Sequence, residues 1–186
     1  MMMYSNDLLV KDALQSYFSQ YHFENGGYDL QYFKIKLGPV FLSFPNTKAR
    51  IAAVKIHDIH HLVTEYKATL RGEAEIGAWE IASGCGKHGI AWFLNSGSFF
   101  YGLFFFPRAV FTAFMSGRKV RTNLYKNIVY DENLLSRTVG SLREYVGINS
   151  GGNNTAFDYF YFLFWCFLVL APAGIALLLL CYLLKL

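Results

Sequence analysis

Apolar residues recur at helical spacing through most of the chain, and strand-like alternation is confined to one short stretch. Within residues 6–20 they fall at Leu8, Leu9, Ala13, Leu14, Tyr17 and Phe18. That spacing predicts an amphipathic helix opened by Ser5 or Asn6 as cap. Residues 23–29 hold Asn25-Gly26-Gly27, a turn signal. Residues 32–42 alternate weakly and predict a short extended piece, because Gly38-Pro39 and Pro45 forbid a long helix there. Pro45-Asn46-Thr47 reads as a helix start capped by Asn46 or Thr47. Its apolar stripe is Ile51, Val54, Ile59, Leu62, Val63 and Tyr66. A second helix is predicted from about Glu73 to Ser83, stopping at Gly84. Leu134, Leu135, Val139, Leu142 and Val146 give a last amphipathic helix that ends at Gly147.

Two stretches carry no charge. Residues 89–107 are uncharged over 19 positions and rich in phenylalanine. Asn95-Ser96-Gly97-Ser98 and Gly102 interrupt the run, which argues for a buried core helix pair rather than a clean span. The competing reading makes it an apolar wall for a lipid chain, or a surface dipping into the bilayer. Residues 159–184 are uncharged over 26 positions. As a helix this stretch would be about 39 Å long, enough to cross a hydrocarbon core of about 30 Å once. Tyr159, Tyr161, Trp165 and Tyr182 lie near its ends as interface anchors. Pro172 and Gly174 sit in its middle, where membrane helices tolerate a kink. The expected architecture is therefore all-α. A helical domain over 1–148 is joined by a polar linker, 149–156, to a C-terminal transmembrane anchor over 157–186. The Lys/Arg excess before the span predicts that the domain stays on the cytoplasmic (or matrix) side. The N-terminus has no apolar stretch of the kind a secretory signal needs.

Composition sharpens this. Hydrophobic residues make up 54% of 186, and the mean hydropathy of +0.25 points to a membrane. The net charge is +4, with Arg118, Lys119, Arg121 and Lys126 clustered. Basic residues beside apolar surface favour anionic lipid headgroups. Nucleic acid is excluded as a partner, because the charge is modest and the aromatics sit in apolar runs rather than among the basic residues. Of Cys85, Cys166 and Cys181, two lie in the C-terminal apolar run. They read as small apolar fillers, not as a disulfide framework.

The chemistry gathers in residues 56–84. This stretch holds three of the five histidines, His57, His60 and His61, and five of the thirteen acidic residues, Asp58, Glu65, Glu73, Glu75 and Glu80. His57 and His61 are one helical turn apart on one face, so their imidazoles can share a divalent metal. A carboxylate must complete the set. Glu65 lies one turn further along the same face. Glu73 would lie about 18 Å from His61 along an unbroken helix, and joins only if the chain reverses between residues 64 and 72. Asp58 points about 100° away from His57, and either ligates directly or orients an imidazole from behind. His60 lies off the shared face. With the isolated His22 and His88, it reads as a core or surface histidine.

His57-Asp58, His61 and Glu73 spell HDxxH-x11-E. This resembles the signature of the ubiquinone (coenzyme Q) biosynthesis protein 4 family, whose wording is HDxxHxxxGY followed by GE. Tyr66 and Gly72 fit that wording, whereas position 65 carries Glu in place of Gly, and Glu75, Trp79 and Glu80 fall outside it. Gly117-Arg118-Lys119, Tyr130-Asp131-Glu132, and Leu142-Arg143 with Val146-Gly147-Ile148 resemble the family's basic helix, acidic turn and terminal LR…LGI. Together these matches cover roughly residues 45–148. The resemblance implies a divalent metal, zinc before iron, cobalt or manganese, on His57, Asp58, His61 and Glu73 as catalytic residues; Glu65 stays a further ligand candidate by its place on the His57/His61 face, not by the resemblance. It implies a metal-dependent decarboxylase or hydroxylase of a prenylated 4-hydroxybenzoate-type substrate, and a complex with other quinone-biosynthesis enzymes. Trp92, Phe93, Phe99, Phe100, Phe104 and Phe105 would then meet the polyprenyl quinone precursor or membrane lipid. Arg108, Arg118, Lys119 and Arg121 would sit at headgroup level. Two other classes remain as alternatives, a different divalent-metal hydrolase and a non-catalytic lipid-binding scaffold. An HD-type phosphohydrolase needs a further His and Asp, for which His22 and Asp131 are only loose candidates. A membrane di-iron oxygenase needs more histidines on more spans than this chain has.

Overall fold

A computed structural model describes residues 3–37, 40–148 and 151–183, and their side chains except those of 34–42 and 176–182. The fold is all-α, with nine helices among the described residues and a single hairpin. The helices are α1 (Val10–Tyr21), α2 (Lys48–Thr64), α3 (Leu70–Ser83), α4 (Gly89–Phe105), α5 (Pro107–Lys119), the short α6 (Leu124–Asn127), α7 (Glu132–Leu135) and α8 (Val139–Val146), and α9 (Ala156–Leu183). Strands β1 (Tyr32–Leu37) and β2 (Val40–Pro45) pair antiparallel. The expected extended piece is thus two strands, and the Gly38-Pro39 signal lies outside the described residues.

Helix α3 is the centre of the core. Ala74 and every residue from Ile76 to Ser83 are buried, under α4 and α5 on one side and α2 on the other. Small residues permit the close packing. A Cβ at Gly117 of α5 would come within 2.5 Å of the Trp79 carbonyl, so only glycine lets these two backbones meet.

Several predicted boundaries move. Helix α1 starts at Val10, not near Asn6, because residues 6–10 pair with 137–140: Val10 N–H donates to the Arg137 carbonyl and Gly140 N–H to that of Asn6. Backbone pairing there replaces a side-chain cap. The stretch expected to interrupt residues 89–107 is instead helical. Asn95 turns inward, while Ser96 and Ser98 donate to the carbonyls of Trp92 and Asn95, so the polar groups are satisfied without breaking α4. The last amphipathic helix is split, because Thr138 caps α8 and separates it from α7.

Among the described residues, one helix is long and apolar enough to cross a membrane: α9, over Ala156–Ile175. It does not hang from the body on a free linker. Trp165 stacks on Trp92 at 5.3 Å, and Phe162 packs against Phe99 and Phe114. Arg118 donates to Asp158 at 2.7 Å, and Asn154 to the Met115 carbonyl at 3.0 Å. Cys85 and Cys166 are free thiols, the first buried; the Cys181 side chain lies outside the described residues.

Candidate metal centre

Helix α2 begins where Thr47 accepts the Arg50 N–H at 3.2 Å, and ends where Glu65 turns left-handed at φ 63°. The chain then reverses within a few residues. Thr69 caps α3 by accepting the Gly72 N–H at 3.2 Å. Gly72 lies so close to the Lys67 carbonyl that any Cβ would collide with it. The required reversal is therefore built from a left-handed residue, a threonine cap and a glycine, and α3 begins three residues before Glu73.

This reversal brings His57, His61 and Glu73 into one group whose ligand atoms lie within 4.8 Å of one another, a group that could hold a metal ion. The two Nε2 atoms are 3.1 Å apart, and each is 3.3 Å from a Glu73 oxygen. The edge of a tetrahedron with metal–ligand bonds of 2.0–2.1 Å is about 3.3 Å; the two imidazoles are near that spacing, while Glu73 meets them through different oxygens, Oε2 toward His57 and Oε1 toward His61.

The far sides of the rings fix the lone pairs. His61 Nδ1 lies 2.7 Å from the Tyr66 carbonyl, which can only accept, so the proton is on Nδ1. His57 Nδ1 donates to Glu80 Oε1 at 3.0 Å. When His57 is neutral, two imidazole lone pairs and a carboxylate face one another and can take a cation; without a metal, a proton on His57 Nε2 fills that place. Burial alone would lower the His57 pKa. The carboxylates of Glu80 and Glu73 outweigh it and lift the imidazole well above its ordinary value. Burial would raise both glutamates, but their histidine partners hold them far below the carboxylate range.

Glu80 is the residue that sequence reasoning missed. Fully buried, it accepts from His57, from His60 Nδ1 at 2.7 Å and from the Asn95 amide, and lies 3.1 Å from the Tyr125 hydroxyl. His60 in turn accepts the Leu124 N–H through Nε2, so it braces the centre rather than ligating. The signal was present, since Glu80 follows Glu73 by seven residues, two helical turns along the same face.

Asp58 stays outside the ligand group. It is buried, accepts from the Tyr28 hydroxyl and is pushed up to about 6 by burial, which His57 and the Tyr28 bond only partly offset. Glu65 also lies outside the group. It has left the helix, and its Oε1 takes Arg143 Nη2 at 2.7 Å and the Met3 N–H at 2.9 Å. His22 is the exposed left-handed cap of α1, His88 packs on Tyr125, and Asp131 caps α7.

A cavity of about 590 Å³ opens beside the centre. His57, Asp58 and Glu73 face it with Tyr17 and Arg50, and α4 closes it with Ala91, Leu94, Asn95 and Ser98. Arg50 lies over the Phe33 ring at 3.5 Å and donates to Asn46. A larger open groove of about 980 Å³ runs along α1 past Tyr28 and contains none of the three ligand residues.

The expected lipid and headgroup residues divide. Phe93, Phe104 and Phe105 are exposed, and Phe100 packs edge-on against Phe104. Phe99 is wholly buried between Phe114 and Phe162, so it belongs to the core, and Trp92 is covered by Trp165. Arg118 is held by Asp158 and the Ala82 carbonyl, a joint within the fold, whereas Arg108, Lys119 and Arg121 are exposed. No family model, curated protein or solved structure matches the chain. The metal centre therefore rests on its own geometry, and the family resemblance on the motif residues.

Proposed function

We propose that the protein is a membrane-anchored, divalent-metal-dependent enzyme of quinone biosynthesis acting on a polyprenylated aromatic head group. The observation that carries this reading is the convergence of His57, His61 and Glu73 beside a cavity. Three protein ligands with space at the fourth position suit a catalytic ion better than a structural one, which takes four. When bound, a divalent metal supplies Lewis acidity toward a ring carboxylate or phenolate.

The chain's own residues divide the remaining work. Glu80 and the Tyr66 carbonyl aim the two imidazoles. Asp58, which accepts from the Tyr28 hydroxyl, offers a carboxyl at the cavity wall. Arg50, on the same helix as His57 and Asp58, adds a cation to the cavity lining, and Leu94 and Ala91 give the ring and the start of its tail an apolar bed. The HDxxH-x11-E resemblance implies the reaction, oxidative decarboxylation in which the ring carboxyl leaves as carbon dioxide and dioxygen is the oxidant and the source of the hydroxyl that replaces it, and the association with other quinone-biosynthesis enzymes. The Lys/Arg excess before α9 favours the cytoplasmic (or matrix) face for the domain.

The test is metal content by mass spectrometry on detergent-purified protein, wild type beside Glu73→Ala. About one divalent ion per chain, lost in the variant, is expected. Conversion of a prenylated 4-hydroxybenzoate should then require His57. A wild-type chain that binds no metal would overturn the reading.

A further inference from the structure

Between Glu80 and Asp131 the chain carries six Lys or Arg residues and not one acidic residue. Helix α4 lies inside this stretch, with Lys87 just before it and Arg108 just after, both exposed. Its outward stripe runs Phe93, Gly97, Phe100 and Phe104, the spacing of one helical face. Phe93 is 73% exposed and Phe104 62%. Helix α9 shows a similar stripe from its first turn, with Phe157, Phe160, Phe164 and Phe167 all exposed. The Trp92–Trp165 stack and Phe162 against Phe99 join the two helices side by side. Exposed aromatic faces of this extent are rare on proteins surrounded by water.

We propose that the outer face of α4 lies in the acyl layer of an anionic bilayer together with the first half of α9. The domain is then half-immersed rather than tethered at a distance. Continuity decides the occupant and rests on the membrane-anchored reading above: α9 is long and apolar enough to span, and α4 is packed directly against it. The charge pattern agrees. Trp92 meets Trp165 and Phe99 meets Phe162, so the Arg108 end of α4 lies toward the start of α9, where a cation suits lipid headgroups. A second copy is the weaker occupant, since self-pairing through this face would set basic residues against one another with no acid in α4 or α5 to receive them. The opposite side of α4, through Ala91, Leu94 and Asn95, lines the cavity beside His57. One helix is therefore the partition between bilayer and cavity. The placement of α4 does not depend on whether the centre holds a metal.

The experiment uses the full chain with Cys166 and Cys181 changed to alanine and the buried Cys85 retained. A nitroxide is attached at Phe93→Cys, Phe104→Cys, Phe167→Cys or Glu132→Cys, and the protein is placed in nanodiscs containing phosphatidylglycerol. Accessibility to oxygen and to a water-soluble nickel chelate is then read by electron paramagnetic resonance. The expected result is that positions 93 and 104 match 167, with high oxygen access and loss of nickel access, while 132 shows the reverse. Nickel access at 93 and 104 equal to that at 132 would overturn the proposal. So would spin–spin broadening at 93 that grows with the number of chains per disc, which would mean a second copy covers the face. Circular dichroism of each labelled chain separates these outcomes from misfolding.

Discussion

The pocket between α2 and α3 and the face formed by α4 and α9 are held by opposite means. The pocket concentrates buried polar groups, with Glu80 and His60 at 0% exposure and His61 at 1%, each tied by directional hydrogen bonds. The face carries no charge along α4 and leaves its aromatic rings outward. Directional bonds fail when one atom is lost, because the partners left behind are buried and unpaired. Apolar area is additive, and each residue contributes in proportion to what it covers. Single substitutions should therefore act strongly on the pocket and weakly on the face.

The largest effect is expected at Glu80. Glu80→Ala removes the carboxylate that His57, His60 and Asn95 share and should cost about 3–5 kcal/mol, read by denaturation of the detergent-solubilised chain. Glu80→Gln keeps the volume but frees His57 to change tautomer, and should weaken metal binding about 10–100-fold, read by chelator competition. If both variants behaved like wild type, the pocket would be no more demanding than the face.

The next effect is on protons. The apo His57 pKa stands well above 6.5 because Glu80 and Glu73 outweigh the burial that alone would lower it. A raised folded value means that its contribution to apo stability is complete below 6.5 and is lost as pH climbs through that raised value. Metal must displace this proton. Binding at neutral pH should release about one proton per ion, measurable by calorimetry in buffers of different ionisation enthalpy. Zero release would show His57 already neutral and the carboxylates without grip on it.

Local signals made part of this legible in the sequence. The His57/His61 pair, the Thr47 start of α2 and the uncharged stretch of α9 were all readable from spacing and composition. The ligand triad was readable only as a condition, a chain reversal, because its components were disguised. Glu65 does not advertise a left-handed conformation as glycine does, and a single Thr69 between Ala68 and Leu70 is a weak cap signal until the reversal is known. Glu80 was hidden for another reason, since its role appears only once α3 folds back on α2 and a long-range contact gives its carboxylate a purpose. Residues 95–98 resemble a helix break because they are polar, yet the side chains of Asn95, Ser96 and Ser98 bond inward and along their own helix.

A smaller effect lies where pocket and face join. Arg118 and Asp158 are partly exposed, at 27% and 11% of their side chains, so breaking the pair by Arg118→Gln should cost about 1 kcal/mol. The metal content should not change, since neither residue touches the centre. A metal site that emptied with Arg118→Gln would mean that α9 holds the pocket shut, and the contrast between the two regions would dissolve.

The smallest net effect is expected at Glu65, where charge and backbone can be separated within the pocket half. Its left-handed backbone at φ 63° costs a side chain about 1 kcal/mol relative to glycine. Its carboxylate recovers a similar amount from Arg143 and the Met3 N–H. Glu65→Gly should therefore fall within about 0.5 kcal/mol of wild type, and Glu65→Ala about 1 kcal/mol below it, both read as denaturation midpoints. Neither should lower the metal content, because Glu65 has turned toward Arg143 and away from His61. Metal lost from a folded Glu65→Ala chain would put this carboxylate back among the ligands, and the α2–α3 reversal would no longer be what creates the site.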